Sequence, residues 1–198
     1  MHLTDRAEQL PVQAHSTQYR GRVWDVVSEE VDLGAAGVVT RDYIDHPGAV
    51  AILAIDDDDK VVLIQQYRHP IGTFEWEIPA GLRDVAGEPD LRTAQRELAE
   101  EADLHAATWQ HLIQVATSPG SSSETITIFL ARDLTNVPEH QRHTRDGEEL
   151  DMPTARVHID ELCAAILEGR VHNGTLIQAV LAARVAREQG WDTLPPAE

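Results

Sequence analysis

Two apolar runs, Val50–Ile55 and Val61–Gln66, are separated only by Asp56-Asp57-Asp58-Asp59-Lys60. Apolar runs this short, bounded by a polar cluster, read as buried strands joined by a solvated hairpin tip. The four aspartates also have the makings of a calcium ligand cluster, but a charged loop between two strands is the reading adopted. The chain must therefore fold around a sheet. Hydrophobic residues make up 42% of the 198 residues and charged residues 25%, enough apolar material for a core and too much for a disordered chain. That length suits one domain with appendages.

Strands and helices are mixed along the rest of the chain without regular βαβ alternation. Residues 1–18 are polar and read as a flexible N-terminal arm. Arg22–Val27 and Gly37–Tyr43 flank the turn signal Asp32-Leu33-Gly34, so 19–45 reads as an N-terminal antiparallel β hairpin. Phe74–Ile78 is a further strand that stops at Pro79-Ala80-Gly81. Thr108–Val115, Thr125–Ala131 and Met152–His158 also carry strand patterns. Ile159–Leu167 reads as a helix, as does Gly174–Glu188, with Asn173 as N-cap and Gly190 just past its end. Residues 191–198 form a loop-like tail. The expected class is α+β, with α/β/α layering over 46–190.

Charge narrows the partners. Thirty-four acidic residues against sixteen basic ones give a formal net charge of −18, which argues against nucleic acid. A small anionic substrate stays compatible if a divalent cation reverses the local field. Cys163 is the single cysteine and reads as a packing residue, so intrachain disulfides and cysteine-based zinc clusters are excluded. No stretch approaches the roughly 18 apolar residues of a membrane span. The N-terminus has no apolar targeting core, so a cytoplasmic location is expected. The ten histidines form no HExxH motif and Ser121-Ser122-Ser123 no nucleophile elbow, so neither zinc nor serine chemistry is indicated.

The stretch Gly81 to Leu104 carries the chemistry. Leu91, Ala94, Leu98 and Ala102 form the apolar stripe of a helix over 91–102. Glu97, Glu100 and Glu101 stand at i, i+3 and i+4, so three carboxylates share one face. Their repulsion weakens an ordinary helix and vanishes if the face binds a hard divalent cation such as magnesium. Glu88 can return to the same face or pair with Arg96. Ala80, at a strand end before a tight turn, can offer a backbone carbonyl. The bland alternative is a solvated Glu-rich face.

The order Gly81, Glu88, Arg96-Glu97-Leu98, Glu100-Glu101 resembles the signature of the Nudix hydrolases, Gly-x5-Glu-x7-Arg-Glu-U-x-Glu-Glu-x-Gly-U, where U is apolar. Two departures occur: six residues rather than five separate Gly81 from Glu88, and Asp103 holds the second glycine position. Asp tolerates the left-handed conformation of a helix end better than most residues. Beyond this box, His46–Ala51, Gln66–Pro70, Trp76–Gly81 and Ser118-Pro119-Gly120 resemble the ADP-ribose pyrophosphatase branch. Pro119 lies fifteen residues past Leu104, where that branch carries a proline, and Glu148–Met152 matches its acidic loop.

The resemblance implies the Nudix fold and hydrolysis of ADP-ribose to AMP and ribose 5-phosphate. It implies magnesium, with manganese as a substitute, held by the Ala80 carbonyl, Glu97 and Glu101. Glu100 is then a further ligand or lies behind the ligands, and Arg96 orients the carboxylates. Glu149, or else Glu148, is the expected general base, against the alternative of a merely solvated loop. Arg68 is expected at the phosphate or terminal ribose. Trp24 is expected either to stack on adenine, with Arg41 assisting, or to be a half-buried strand residue. Glu77 and Trp76 are expected to support the pocket, with the alternative that Trp76 belongs to the core, and Glu124 is a later ligand candidate. Relatives also imply a homodimer that exchanges the N-terminal hairpins. Two other readings remain: hydrolysis of another nucleoside diphosphate sugar, and a non-catalytic nucleotide sensor.

Overall fold

The computed structural model describes residues 3–145, 150 and 152–197, except for the Asp192 side chain. The chain divides into two compact units: Met1–Pro47 with Ser118–Glu124, and Gly48–Thr117 with Thr125–Glu198.

The first unit is an antiparallel sheet of β1 (Val12–Arg20), β2 (Asp25–Asp32) and β3 (Val38–Asp45), in that order. The expected hairpin is thus a three-stranded sheet. The reading of residues 1–18 as an irregular arm is corrected over residues 12–18, which belong to β1. Every β1 residue is exposed, so burial imposes no apolar alternation on it, and its backbone pairing with β2 holds it in place. A second difference concerns Trp24, which sits in the turn between β1 and β2 rather than in a strand. The Asp25 carboxylate accepts from the Gly21 N–H at 3.2 Å and closes that turn. Gly34 donates to the Asp32 carboxylate at 2.8 Å in the next one, where the Asp-Leu-Gly signal stands. Ser118–Glu124 joins the end of β3 through Ile44 N–H to Ser121 O and Ser123 N–H to Ile44 O, both 2.9 Å.

The second unit is the layered one. β4 (Ala49–Ala54) is the strand of the Val50 run, and all six of its residues are buried. It lies in a four-stranded mixed sheet with β7 (Ala80–Leu82), β9 (Thr125–Asn136) and β8 (Leu104–Ala116), in the order β7-β4-β9-β8. β5 (Lys60–Arg68) pairs with β6 (Thr73–Glu77) and β10 (Thr154–His158) in a second sheet. Among the described residues three α-helices cover the strands: α1 (Asp90–Ala102), α2 (Ile159–Leu167) and α3 (Gly174–Gln189).

Alternation along β4 explains why its run has no polar residues. Val50, Ile52 and Ala54 pack with Ala94 and Leu98 of α1, whereas Ala51, Leu53 and Ile55 pack with Leu162, Leu176 and Val180 of α2 and α3. A strand covered on both faces can expose neither side to water. The α/β/α expectation holds for this unit. Asn173 accepts from Leu176 N–H at 2.9 Å, which caps α3 as its sequence predicts. The C-terminal segment is more ordered than a loop. His111 N–H donates to Pro195 O, and Ala197 N–H to Trp109 O, so the segment covers the exposed edge of β8.

The aspartate tip resolves into separate tasks. Asp56 Oδ1 accepts from Asp58 N–H and Lys60 N–H at 3.0 Å, Asp56 pairs with Arg156, and Asp59 with Arg187. Asp59 adopts positive φ (57°) in the turn. It is a charged hairpin tip, as the sequence suggests. Among the described residues no helix is long and apolar enough to cross a membrane.

Candidate active site

Pairing of β4 with β7 places the Pro79-Ala80-Gly81 turn against the central strand. Val50 stands opposite Gly81 and Ala51 opposite Ala80, and Ile52 N–H donates to Pro79 O at 2.8 Å. The sequence pattern places a bare turn here; the three-residue strand β7 is too short to show periodicity. α1 lies beside β7, held by the apolar stripe of Ala94 and Leu98, both fully buried.

That docking directs two carboxylates onto the turn. The buried Glu101 Oε2 accepts from Ala80 N–H at 2.9 Å. Glu97 lies directly over Gly81, where an added Cβ would stand 2.2 Å from the Glu97 carboxyl carbon and Oε1. Any larger residue at 81 would have to displace the Glu97 side chain. The i, i+4 spacing of Glu97 and Glu101 thus becomes two carboxylates on one strand-turn.

Arg96 organises the remaining charges. It donates to Glu97 at 2.6 Å, Glu100 at 3.3 Å and Glu88 at 3.2 Å, and Glu88 also accepts from Thr93 Oγ1 at 2.9 Å. Glu88 pairs with the Arg96 that also holds Glu97 and Glu100. Burial by itself would lower the Arg96 pKa, but the hydrogen bond to Glu88 and the charge of Glu97 raise it well above its ordinary value. The hydrogen bonds from Arg96 and then Thr93 hold the Glu88 carboxyl below the usual carboxylate range.

The loop between β7 and α1 is pinned by Arg83, a residue that spacing alone does not single out. Its Nη2 donates to Asp90 and to Thr127 Oγ1, both at 2.6 Å. Val85-Ala86-Gly87 forms a turn in this loop, where Gly87 takes positive φ (79°) and Glu88 N–H donates to Val85 O. At the other end of the box, Asp103 has φ 55° and ψ 36°. It fills the left-handed helix-end position that the glycine of the signature would occupy.

Arg68 is committed to a neighbour. Its Nε and Nη2 donate to the two oxygens of Glu77 at 2.7 and 2.6 Å, and the hydrogen bond to Glu77 raises its pKa. Glu77 is buried, so the pair fixes the end of β5 to β6. Trp24, Arg41 and Pro119 belong to the first unit, as does Glu124. Trp24 is 40% exposed, Arg41 lies on β3 opposite Glu29, and Glu124 faces His46 at 3.6 Å. Glu148 and Glu149 lie outside the described residues.

Whether these groups suit a cation can be read from the donor set. The side chains of Glu97, Glu100 and Glu101 offer only hard oxygen donors, and the Ala80 carbonyl adds another of the same kind. The space over Gly81 admits the Glu97 carboxylate and nothing larger than hydrogen on the backbone. Among the described residues no three acidic, histidine or cysteine side chains are gathered into a ready cage. Glu97 and Glu100 turn toward Arg96, whose single charge leaves negative charge in excess over Glu88, Glu97 and Glu100. The residues fit a hard divalent cation that would draw Glu97 and Glu101 together at the turn.

A NUDIX domain model matches residues 45–180. An ADP-ribose pyrophosphatase from Mycobacterium tuberculosis is 42% identical over 84% of this chain and 79% of its own length. A protein of Bacillus methanolicus named methanol dehydrogenase activator is 33% identical over 82% of this chain and 85% of its own. A crystal structure of an ADP compounds hydrolase superposes with a TM-score of 0.73 at 24% identity, covering 94% of this chain and 99% of that one, and so shares the fold. The chain belongs to the Nudix hydrolase family, whose members are in general divalent-metal dependent.

Proposed function

We propose that this chain hydrolyses the pyrophosphate bond of ADP-ribose, releasing AMP and ribose 5-phosphate. The observation that carries the reading is the placement of Glu97 and Glu101 on the Ala80-Gly81 turn, in a chain 42% identical to an ADP-ribose pyrophosphatase. Magnesium, or manganese in its place, would be held by Glu97, Glu101 and the Ala80 carbonyl, with Glu100 nearby. When bound it supplies charge neutralisation at the phosphate oxygens and a more acidic water.

The chain's own groups do the rest. Arg96 holds Glu97 and Glu100 by their carboxylates, so their orientation is set before substrate arrives. Glu149, or Glu148, accepts the proton as the water oxygen attacks phosphorus and the bridging P–O bond breaks. Two nitrogens of Arg68 are taken by Glu77, which fixes the guanidinium plane for a contact with phosphate or ribose. Trp24, with Arg41 assisting, is proposed to stack on adenine, and Pro119 to contact the substrate. The sheet of the first unit is proposed to be exchanged between the copies of a homodimer. A cytoplasmic location completes the reading, with neither nucleic acid nor membrane as partner.

The sensor reading is disfavoured because every carboxylate of the box is present in the sequence. The test is AMP release from ADP-ribose, with and without magnesium, beside a panel of other nucleoside diphosphate sugars. Metal-dependent turnover that favours ADP-ribose is expected. Preference for another sugar nucleotide would keep the chemistry and discard the substrate. Binding without turnover of any would favour the sensor.

A further inference from the structure

We propose that Arg145 and Asp103 form a positioning clamp for the hydrolysis, resting on the function proposed above. Arg145 Nη2 donates to Glu101 O at 2.8 Å and to Asp103 Oδ2 at 2.9 Å, while its Nε donates to Glu100 O at 3.1 Å. The last carbonyls of a helix have no partner within it. Here the Asp103 N–H takes Leu98 O, and the Arg145 guanidinium takes the carbonyls of Glu100 and Glu101. These two residues carry carboxylates of the proposed cation site. Arg145 therefore locks the turn of α1 on which they stand, and its positive charge suits that end of the helix.

The clamp depends on a departure from the family signature. A glycine at 103 would satisfy the left-handed backbone and offer no carboxylate. Asp103 satisfies the same backbone and pairs with Arg145, with Arg142 Nε 3.9 Å from its other oxygen. Val137 N–H donates to Asp103 O at 2.8 Å, which joins the same corner to the end of β9. Arg145 is also placed in sequence just before Glu148 and Glu149. One guanidinium thus holds the ligand-bearing helix turn together with Asp103.

Steady-state kinetics on ADP-ribose with magnesium test this in Arg145→Gln, Arg145→Lys and Asp103→Gly. Arg145→Gln should lose about tenfold in kcat with KM changed by less than about twofold, the pattern of misplaced rather than missing groups. Arg145→Lys should recover part of that loss. Asp103→Gly should lose kcat in the same way although it restores the signature glycine. Circular dichroism and a thermal melt check folding, and Asp103→Gly carries the test alone if Arg145→Gln fails to fold. A kcat within about twofold of wild type in the folded variants would overturn the clamp. If wild type turns over no nucleoside diphosphate sugar, the proposed function fails by itself. Hydrogen exchange then decides the clamp: faster exchange at the end of α1, in the peptide spanning 98–105 of Arg145→Gln, supports it, and unchanged exchange there overturns it.

Discussion

Two acidic clusters in this chain look alike as strings of letters and differ in what surrounds them. At the β4–β5 tip, four consecutive aspartates stand on a turn, and the charges of Asp56 and Asp59 are taken up by Arg156 and Arg187. On α1, Glu97, Glu100 and Glu101 are spaced by helix geometry; Glu97 and Glu101 press on the Ala80-Gly81 turn, and Glu100 faces Arg96. The first cluster closes a turn. The second gathers oxygen donors at one place, with Glu97 and Glu100 drawn to a single arginine. Carboxylate density does not distinguish a site from a solvated tip; what stands opposite the carboxylates does.

The largest contrast should come from neutralising each cluster. Glu97→Gln or Glu101→Gln should lower kcat by about a hundredfold or more, with a circular dichroism spectrum like wild type. Asp57→Asn should leave kcat unchanged in the same assay. Activity of Glu97→Gln and Glu101→Gln within threefold of wild type would erase the distinction, a threshold of about 0.7 kcal/mol in barrier.

Gly81→Ala sharpens the comparison from the strand side. Its Cβ must displace the Glu97 side chain, so the activity loss should approach that of Glu97→Gln. The stability cost should stay near 1–3 kcal/mol, as for other overpacked positions, measured by urea unfolding. A variant as active as wild type would show that Glu97 need not lie over the turn. Arg68→Ala should follow in size, because it strands the buried Glu77 carboxylate; a loss of about 2 kcal/mol is expected on unfolding. The double variant Arg68→Ala/Glu77→Gln should recover part of it.

The smallest effect belongs to the aspartate tip. Burial alone would raise the Asp56 pKa, but hydrogen bonds from Arg156 and the N–H groups of Lys60 and Asp58 hold it below the ordinary value. A depressed carboxylate contributes stability above its unfolded pKa and loses it as pH falls through the folded one. Asp56→Asn should therefore flatten the acid limb of the stability curve by roughly 0.5–1 kcal/mol, read from melts between pH 6 and about pH 3. An unchanged limb would remove Asp56 from the account of the tip.

What the sequence discloses follows from the range of the forces involved. β4 and the helix α2 are legible because burial imposes a pattern within a few residues, and Asn173 and Gly190 punctuate α3 by local hydrogen bonding and backbone angle. Helical spacing makes Glu97, Glu100 and Glu101 legible as one face, and the box, with Glu88 before the helix, is legible through its resemblance to the Nudix signature. β1 is hidden, since an exposed strand carries no apolar alternation and rests on its pairing with β2. β7 is too short for any period. The tasks of Arg83 and Arg145 are hidden for another reason: their partners lie 44 and 42 residues away, at Thr127 and Asp103. The resemblance marks Arg68 as a candidate substrate contact, yet its bidentate hold on Glu77 depends on the β5–β6 pairing.

The most direct measurement is manganese binding followed by electron paramagnetic resonance in three proteins: wild type, Glu97→Gln/Glu101→Gln, and Asp57→Asn/Asp58→Asn. Wild type and the aspartate-tip variant should bind the ion alike, while the α1 variant should lose its tight site and keep its fold. Equal binding by all three, or loss only in the aspartate-tip variant, would contradict the assignment of the cation to the α1 carboxylates.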